Sequence, residues 1–295
     1  MSKVFAPDNP TFKDKEGFTI YDFPPRDTEI RNQYFPAGIK HQAKYNLYML
    51  REVIKYVSEP GERIMDIMAG TGGSMLAAVM GRKVTCIEIS PKWTNEYILP
   101  NRSHILQTNP QVNPKDILII NSACQDVLPI PTDHIIFSPP YSVIMKKKTI
   151  SAGDLTDDFY GVSAEEFAEY SNNPGNVGGQ NKFMYTQMMG DIYGLAAQSI
   201  RPGGTLTVII KDYIENAKRQ YISKWVTTSC IKAGLELQDW FKWNAPGGPF
   251  LAIYRSRGWP VVEDEDIIIM RKPSLSQARR IESMQQEPAL VGAFA

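Results

Sequence analysis

Along this chain the apolar positions alternate between a helical period and short unbroken runs. In AKYNLYMLREVIKYVSEPG, Leu47, Leu50, Ile54 and Val57 share one helix face before a Pro-Gly stop. The next segment, ERIMDIMAGTGGSMLAAVMGRKVTCIEIS, reads as strand, glycine turn, short helix and second strand, a βαβ unit. DILIINS and HIIF are two further strand-type runs, and PKWTNEYILPNRSHILQTNPQ suits a crossover helix and loop between strands two and three. FMYTQMMGDIYGLAAQSI predicts a helix closed by RPGG, TLTVIIKDYI a fifth strand, and RQYISKWVTTSCIKAG a helix that ends in glycine. LELQDWFKWN and EDIIIMRKP are late strands without a full helix between them, so one is expected to run antiparallel. Strands alternating with helices across residues 41–272 predict one doubly wound α/β domain.

The flanks lack such order. Residues 1–40 are rich in proline, aspartate and aromatics without a clean period, and read as an irregular arm around the core. Residues 142–190 form a loop insertion: AGDLTDDFYGVS and SNNPGNVGGQNK are polar and flank a short helix near residues 164–170. A long loop in a compact domain is more often functional than inert. Residues 273–295 read as a polar tail.

Composition narrows the classes. The chain has 295 residues, 43% hydrophobic and 22% charged, which is ordinary for a globular protein. No apolar run approaches the ~20 residues of a membrane span, and the start, MSKVFAPDNPTFKDKEG, lacks the apolar core of a signal peptide, so a cytoplasmic location is expected. Cys86, Cys124 and Cys230 form no CxxC, and His41, His104 and His134 are scattered, so neither a disulfide scaffold nor a metal site is expected. Thirty-two cationic residues balance 32 anionic ones, so a nucleic-acid partner would require a local basic face. Lys146–Lys147–Lys148, Arg255 with Arg257, and Arg279–Arg280 are the candidates.

Two stretches carry chemistry. Asp66-Ile67-Met68-Ala69-Gly70-Thr71-Gly72-Gly73-Ser74 places glycines between a strand and a helix, where the backbone can turn sharply and pass close to a ligand. Asp66, at the strand's end, can accept a hydrogen bond from an amine. No GK[ST] follows, which excludes a phosphate-binding P-loop, and the spacing departs from the dinucleotide fingerprint. Glu88 closes the second strand, the position that holds a ribose diol in such folds. The other stretch is HIIFSPPYSVI. Its strand stops at Ser138 and is followed by Pro139, Pro140 and Tyr141. The prolines leave carbonyl oxygens with no ladder partner and a fixed direction. Ser138 adds an acceptor and Tyr141 a flat ring able to stack on an extruded base.

Together these stretches resemble the amino-methyltransferases that use S-adenosylmethionine (AdoMet) to methylate exocyclic amines in DNA. DIMAGTGGS resembles the family's AdoMet motif, with Met68 where Phe is usual, and SPPY resembles its catalytic motif [DNS]PP[YFW]. HQAKYN, with His41 and Lys44, resembles the family's His-x-x-Lys segment at the methionine end of AdoMet. RPGGTLTVIIKDYI and KAGLELQDWFKWN are similar to the fifth and sixth strand regions. The likeness covers about residues 40–272. It implies a Rossmann-like class I methyltransferase fold with a mostly parallel seven-stranded sheet. It further implies AdoMet held by His41, Lys44, Asp66, Met68, Ala69, Gly70, Thr71, Gly72, Glu88 and Ser122, and catalysis at Ser138, Pro139, Pro140 and Tyr141. The implied partner is double-stranded DNA, with no membrane; no oligomeric state is implied. Serine at the head of the motif leans toward cytosine-N4 over adenine-N6.

The chain departs from the family in two respects. It has no large central target-recognition domain, so target contacts must come from residues 142–190, the arm, or 245–262. After the third strand Ser122 stands where the family has an aspartate for the adenine amino group, with Asp126 a nearby alternative. An RNA or protein amino-methyltransferase and an idle nucleic-acid-binding subunit are the competing readings. A nicotinamide oxidoreductase would leave SPPY unexplained.

Overall fold

The computed structural model describes residues 4–37, 44–140, 173–245 and 255–274. A nine-stranded sheet runs through it in the order β1-β2-β10-β11-β7-β6-β3-β4-β5. The strands are β1 (Thr11–Lys13), β2 (Thr19–Tyr21), β3 (Arg63–Asp66), β4 (Lys83–Glu88), β5 (Ile117–Asn121), β6 (Thr132–Phe137), β7 (Ile200–Ile210), β10 (Glu236–Asn244) and β11 (Asp264–Arg271). The helices are α1 (Thr28–Tyr34), α2 (Leu47–Val57), α3 (Leu76–Val79), α4 (Pro91–Trp93), α5 (Leu99–Thr108), α6 (Cys124–Val127), α7 (Lys182–Ser199) and α8 (Ile222–Lys232). A π-turn at Thr94–Ile98 joins α4 to α5.

The predicted doubly wound α/β sheet is present. β5-β4-β3-β6-β7-β11-β10 are its seven strands, and β11 runs antiparallel to both neighbours. The strands from β3 onward alternate sides. Ile64, Cys86, Ile136, Ile267 and Ile269 pack toward α2, α3, α5 and the N-terminal residues. Met65, Ile87, Ile135, Phe137, Ile268 and Met270 pack toward α6, α7 and α8. Both faces are covered, so these strands read as unbroken apolar runs in the sequence.

Three expectations need correction. The first 40 residues are not irregular where described. β1 and β2 form a hairpin, and β2 lies parallel to β10 with Ile20 opposite Lys242, giving nine strands instead of seven. Phe5 stacks on Phe241 at 4.0 Å between ring centroids, and Phe23, Ile30 and Phe35 are buried. The burial of those aromatic rings outweighs the absence of a period. Next, residues 173–190 are not part of a loop insertion. Asn176, Val177 and Gly178 are buried, and α7 starts at Lys182, capped by the Asn181 side chain. Last, a small hairpin, β8 (Tyr213–Glu215) with β9 (Lys218–Gln220), separates β7 from α8. Its two-residue turn is Asn216-Ala217, both at positive φ, so the Asn-Gly signature of such turns is missing. The helix expected near residues 164–170, the tail beyond Ser274, Lys146–Lys148 and Arg279–Arg280 lie outside the described residues. Among the described residues no helix is long and apolar enough to cross a membrane.

Two glycines predict opposite outcomes on thermal unfolding. A Cβ on Gly204 would lie 2.0 Å from the Asp133 carbonyl oxygen of β6, so Gly204→Ala should destabilise by several kcal/mol, roughly 3 or more, or prevent folding. A Cβ on Gly190, inside α7, meets nothing within 4 Å, so Gly190→Ala should stabilise by about 0.5–1 kcal/mol.

Candidate functional site

Strands β3, β4, β5 and β6 end along one edge of the sheet. The order of strands reverses between β3 and β6, which pair in parallel with Met65 opposite Ile135. In open α/β sheets such a reversal leaves a crevice beyond the carboxyl ends of the strands. Asp66, Glu88, Ser122 and Ser138 all follow or close strands at this edge.

The glycine turn is held by carboxylates. Asp66 is fully buried; its Oδ1 accepts the Met68 N–H at 3.1 Å and its Oδ2 accepts the Tyr45 hydroxyl at 3.0 Å. Burial pushes the Asp66 carboxyl up to about 7, and the nearby Glu88 charge adds to this, while donors from Met68, Ser74 and Tyr45 pull it back. Glu88 is also buried: Oε2 accepts the Gly70 N–H at 2.8 Å and Oε1 the Ser90 N–H at 2.9 Å. Ala69 donates to the Ile87 carbonyl at 2.9 Å, which seats the turn against β4. Gly70 and Gly72 take φ of 56° and 81°, a region that glycine alone enters without strain. Beyond Gly70 lies the indole of Trp93. Thr71 is buried, and its carbonyl accepts the Asn101 side chain at 3.2 Å.

At β5, the Ser122 N–H and the Asn121 side chain both donate to the Glu88 carbonyl, at 3.0 and 2.8 Å. Ser122 is thereby brought beside Glu88. Across the reversal, Ser138 is exposed, Pro139 buried and Pro140 half-buried. Pro140 packs against Gly178, where a Cβ would come within 3.1 Å of the Pro140 Cβ. The Gln125 side chain on α6 holds the same stretch by donating to the Gly175 carbonyl at 2.8 Å.

Most of the expected residues therefore meet: Asp66, Met68, Ala69, Gly70, Thr71, Gly72, Glu88 and Ser122 on one side of the reversal, and Ser138, Pro139 and Pro140 on the other. Lys44 is half-buried and faces Arg31 and Asp27 of the N-terminal residues; burial, with the Arg31 charge, lowers its ammonium to about 8. His41 and Tyr141 lie outside the described residues. Sequence reasoning missed Tyr45, Asn101 and Gly178. Tyr45 stands beside Lys44 in HQAKYN, a signal that could have been used. Asn101 is a polar residue in the largely polar helix α5, and only its burial gives it away. Among the described residues no three His, Cys, Asp or Glu side chains are grouped to hold a metal ion. An open groove between α1, α2 and α3, walled by Tyr34, Tyr48, Arg51 and Met80, contains none of the site residues.

The arrangement offers buried carboxylates to cationic and hydroxyl groups on one side. On the other, Ser138 is exposed beside the buried Pro139. No family model matches the chain, and no curated protein matches it. Solved structures similar to it include a methyltransferase from Pyrococcus furiosus (16% identity, TM-score 0.47, 84% of this chain and 94% of that one). The cyclase SpnF is similar too (14%, TM-score 0.45, 77% and 80%), as is a SAM-dependent methyltransferase from Methanosarcina mazei (12%, TM-score 0.40, 75% and 97%).

The raised Asp66 carboxyl has consequences for stability. Below the ordinary value of 3.8 both folded and unfolded chains hold the proton; between 3.8 and about 7 only the unfolded chain ionises. Stability should therefore fall as pH rises through that window and level off above it. Asp66→Asn should flatten part of the slope, leaving the share of Asp266, whose carboxyl burial also raises to about 7. Carboxyl NMR on the ligand-free protein should find the Asp66 midpoint near 7 and find it lower in Glu88→Gln.

Proposed function

We propose that this protein transfers a methyl group from AdoMet to an exocyclic amine of a base in DNA, cytosine N4 in preference to adenine N6. The observation that carries this reading is that the Ser138-Pro139-Pro140 segment follows β6, the strand that pairs with β3, whose end opens the glycine turn. The likeness of both segments to the DNA amino-methyltransferases supplies the reaction.

The cofactor side fits AdoMet by its chemistry. Asp66 suits the ammonium group of the methionine end, the Gly70–Gly72 turn leaves room for a close backbone approach, and Glu88 suits the ribose hydroxyls. Ser122, drawn against the Glu88 carbonyl, suits the adenine amino group. AdoMet, when bound, supplies an electrophilic methyl group on a sulfonium. The protein's task is to orient the nucleophile. An exocyclic amine is weak because its lone pair is delocalised into the ring. Hydrogen bonds from its two N–H groups to the Ser138 hydroxyl and the Pro139 carbonyl would pull it toward tetrahedral geometry and free that lone pair. Tyr141 would stack on the extruded base. Positioning would supply much of the rate, and the proton can leave after transfer without a strong base.

A neutral chain needs a local basic face to hold DNA. The first turns of α7 and α8 and the β8–β9 hairpin all follow strands at the reactive edge. They present Lys182, Lys218 and Lys224 together with Phe183, which is 67% exposed, and Tyr221, 39% exposed. The Lys224 ammonium lies 4.0 Å from the centre of the Tyr221 ring, and the Arg257 guanidinium lies over Trp259 at 5.3 Å. Cations interleaved with exposed rings suit phosphates beside unstacked bases. Of the expected basic pair, Arg255 is engaged by Glu263.

Mass spectrometry of nucleosides from DNA incubated with protein and AdoMet should detect N4-methylcytosine. N6-methyladenine would reassign the base, and methylation of RNA or protein alone would overturn the DNA reading. Ser138→Ala should cut turnover by about 10²-fold or more with AdoMet affinity unchanged. AdoMet should bind more tightly as pH rises through about 7, because Asp66 must ionise to hold the ammonium. Lys218→Ala and Lys224→Ala should each weaken DNA binding and lower its salt slope by about 1.

A further inference from the structure

The N-terminal residues make no use of their own chemistry in the reaction above, yet they are tied closely to the site. We infer that Tyr45 is a positioning residue, through which the N-terminal arm holds the Asp66 carboxylate in register with the glycine turn.

The backbone on both sides of Tyr45 is fixed from the arm. Arg31 of α1 is buried, pairs with Asp27 at 2.6 Å and donates to the Tyr45 carbonyl, also at 2.6 Å. Asp27 in turn accepts the Leu47 N–H at 3.0 Å. Asn46 donates its side-chain amide to the Pro24 carbonyl at 2.8 Å, while its Oδ1 caps α2 through the Tyr48 and Met49 N–H groups. Tyr45 is thus clamped between two arm contacts and a helix start. Its ring lies over Gly73, where a Cβ would stand 3.4 Å from the Tyr45 Cδ2.

The hydroxyl at the end of that ring donates to Asp66 Oδ2 at 3.0 Å. The segment fixed by the arm therefore reaches the last residue of β3, where the glycine turn begins. Burial and the adjacent Asp66 raise the phenol well above its ordinary value, so it stays protonated and remains a donor. Besides Tyr45, the titratable groups facing Asp66 are Glu88 and Cys86 on β4. Cys86 is itself pushed up to about 12 by burial and stays neutral.

A tyrosine that merely fills space would be replaced by phenylalanine without consequence, since the ring and its seat over Gly73 survive. This inference rests on the proposed methyl transfer for its catalytic meaning, but its first readout needs neither ligand nor activity. In Tyr45→Phe the Asp66 midpoint, followed by carboxyl NMR on the ligand-free protein, should move up, because a donor to the ionised form is lost. A fluorinated tyrosine at position 45 is a stronger donor and should move it down. The pH midpoint of AdoMet binding should follow both shifts. At saturating AdoMet, kcat of Tyr45→Phe should drop by about tenfold or more, with KM for DNA little changed. An unmoved Asp66 midpoint in both variants, with kcat preserved in Tyr45→Phe, would overturn the inference. If the Asp66 midpoint shifts as expected while the wild-type protein neither binds AdoMet nor methylates DNA, the positioning role stands and the methyl-transfer reading fails.

Discussion

A buried carboxylate must be given hydrogen-bond donors, and this requirement at Asp66 and Glu88 organises the rest of the molecule. Each closes a central strand and is shut away from water. Removing such charges from solvent without donors would cost several kcal/mol per ion. The donors come from the chain that follows each strand: Met68 for Asp66, Gly70 and Ser90 for Glu88. The glycine turn is thereby pinned to two strands at once. Positive φ at Gly70 and Gly72 is the conformation that lets the N–H groups reach. The turn that follows the strands and the donors that satisfy the buried charge are here one structure.

The same edge of the sheet is stiffened further out by a second set of charges. Arg219 on β9 reaches Asp212 and Asp264, at 2.9 and 2.8 Å, and so fastens the β8–β9 hairpin to the start of β11. Buried Lys242 on β10 meets Asp14 of the arm's turn at 3.0 Å and Asp264 at 3.1 Å. Asp266, raised by burial, is held by the Trp240 indole N–H at 2.8 Å. These contacts join the arm, the hairpin and the last two strands along the same edge of the sheet. Exposed pairs contribute little singly, whereas partly buried networks such as this one fix geometry. The exposed rings of Phe183 and Tyr221 and their neighbouring lysines therefore project from a braced rim.

The arm changes the logic of the fold. As an edge strand, β10 would present unpaired backbone groups, and β2 covers it in parallel pairing. Phe5, Tyr21 and Phe241 then close that corner of the core. Asn101 performs the matching task at the other end of the arm. Its side chain exchanges two hydrogen bonds with Ala37, at 2.9 and 3.1 Å, and a third with the Thr71 carbonyl. A segment without internal periodicity thus becomes ordered because each part of it docks on something already formed.

What the sequence determined by itself was the set of features whose physical causes lie close together in the chain. Strands β3, β4 and β6 were legible because burial on both faces writes them as apolar runs. The glycine turn and the Ser138-Pro139-Pro140 stop were legible because φ preferences belong to single residues. That one of the last two strands runs antiparallel followed from the lack of a full helix between them, whereas the structure decided that it is β11. Tertiary structure alone decided the rest. β1 and β2 are only three residues long, too short to display a period. The β8–β9 turn uses Asn-Ala, whose positive φ values no local rule demands. The partners of Tyr45 and Asn101 cannot be read from their own neighbourhoods, since they stand 21 and as many as 64 residues away. A hydrogen bond needs only two atoms near 3 Å apart, and that proximity is created by the packing of strands and arm, not by any pattern along the chain.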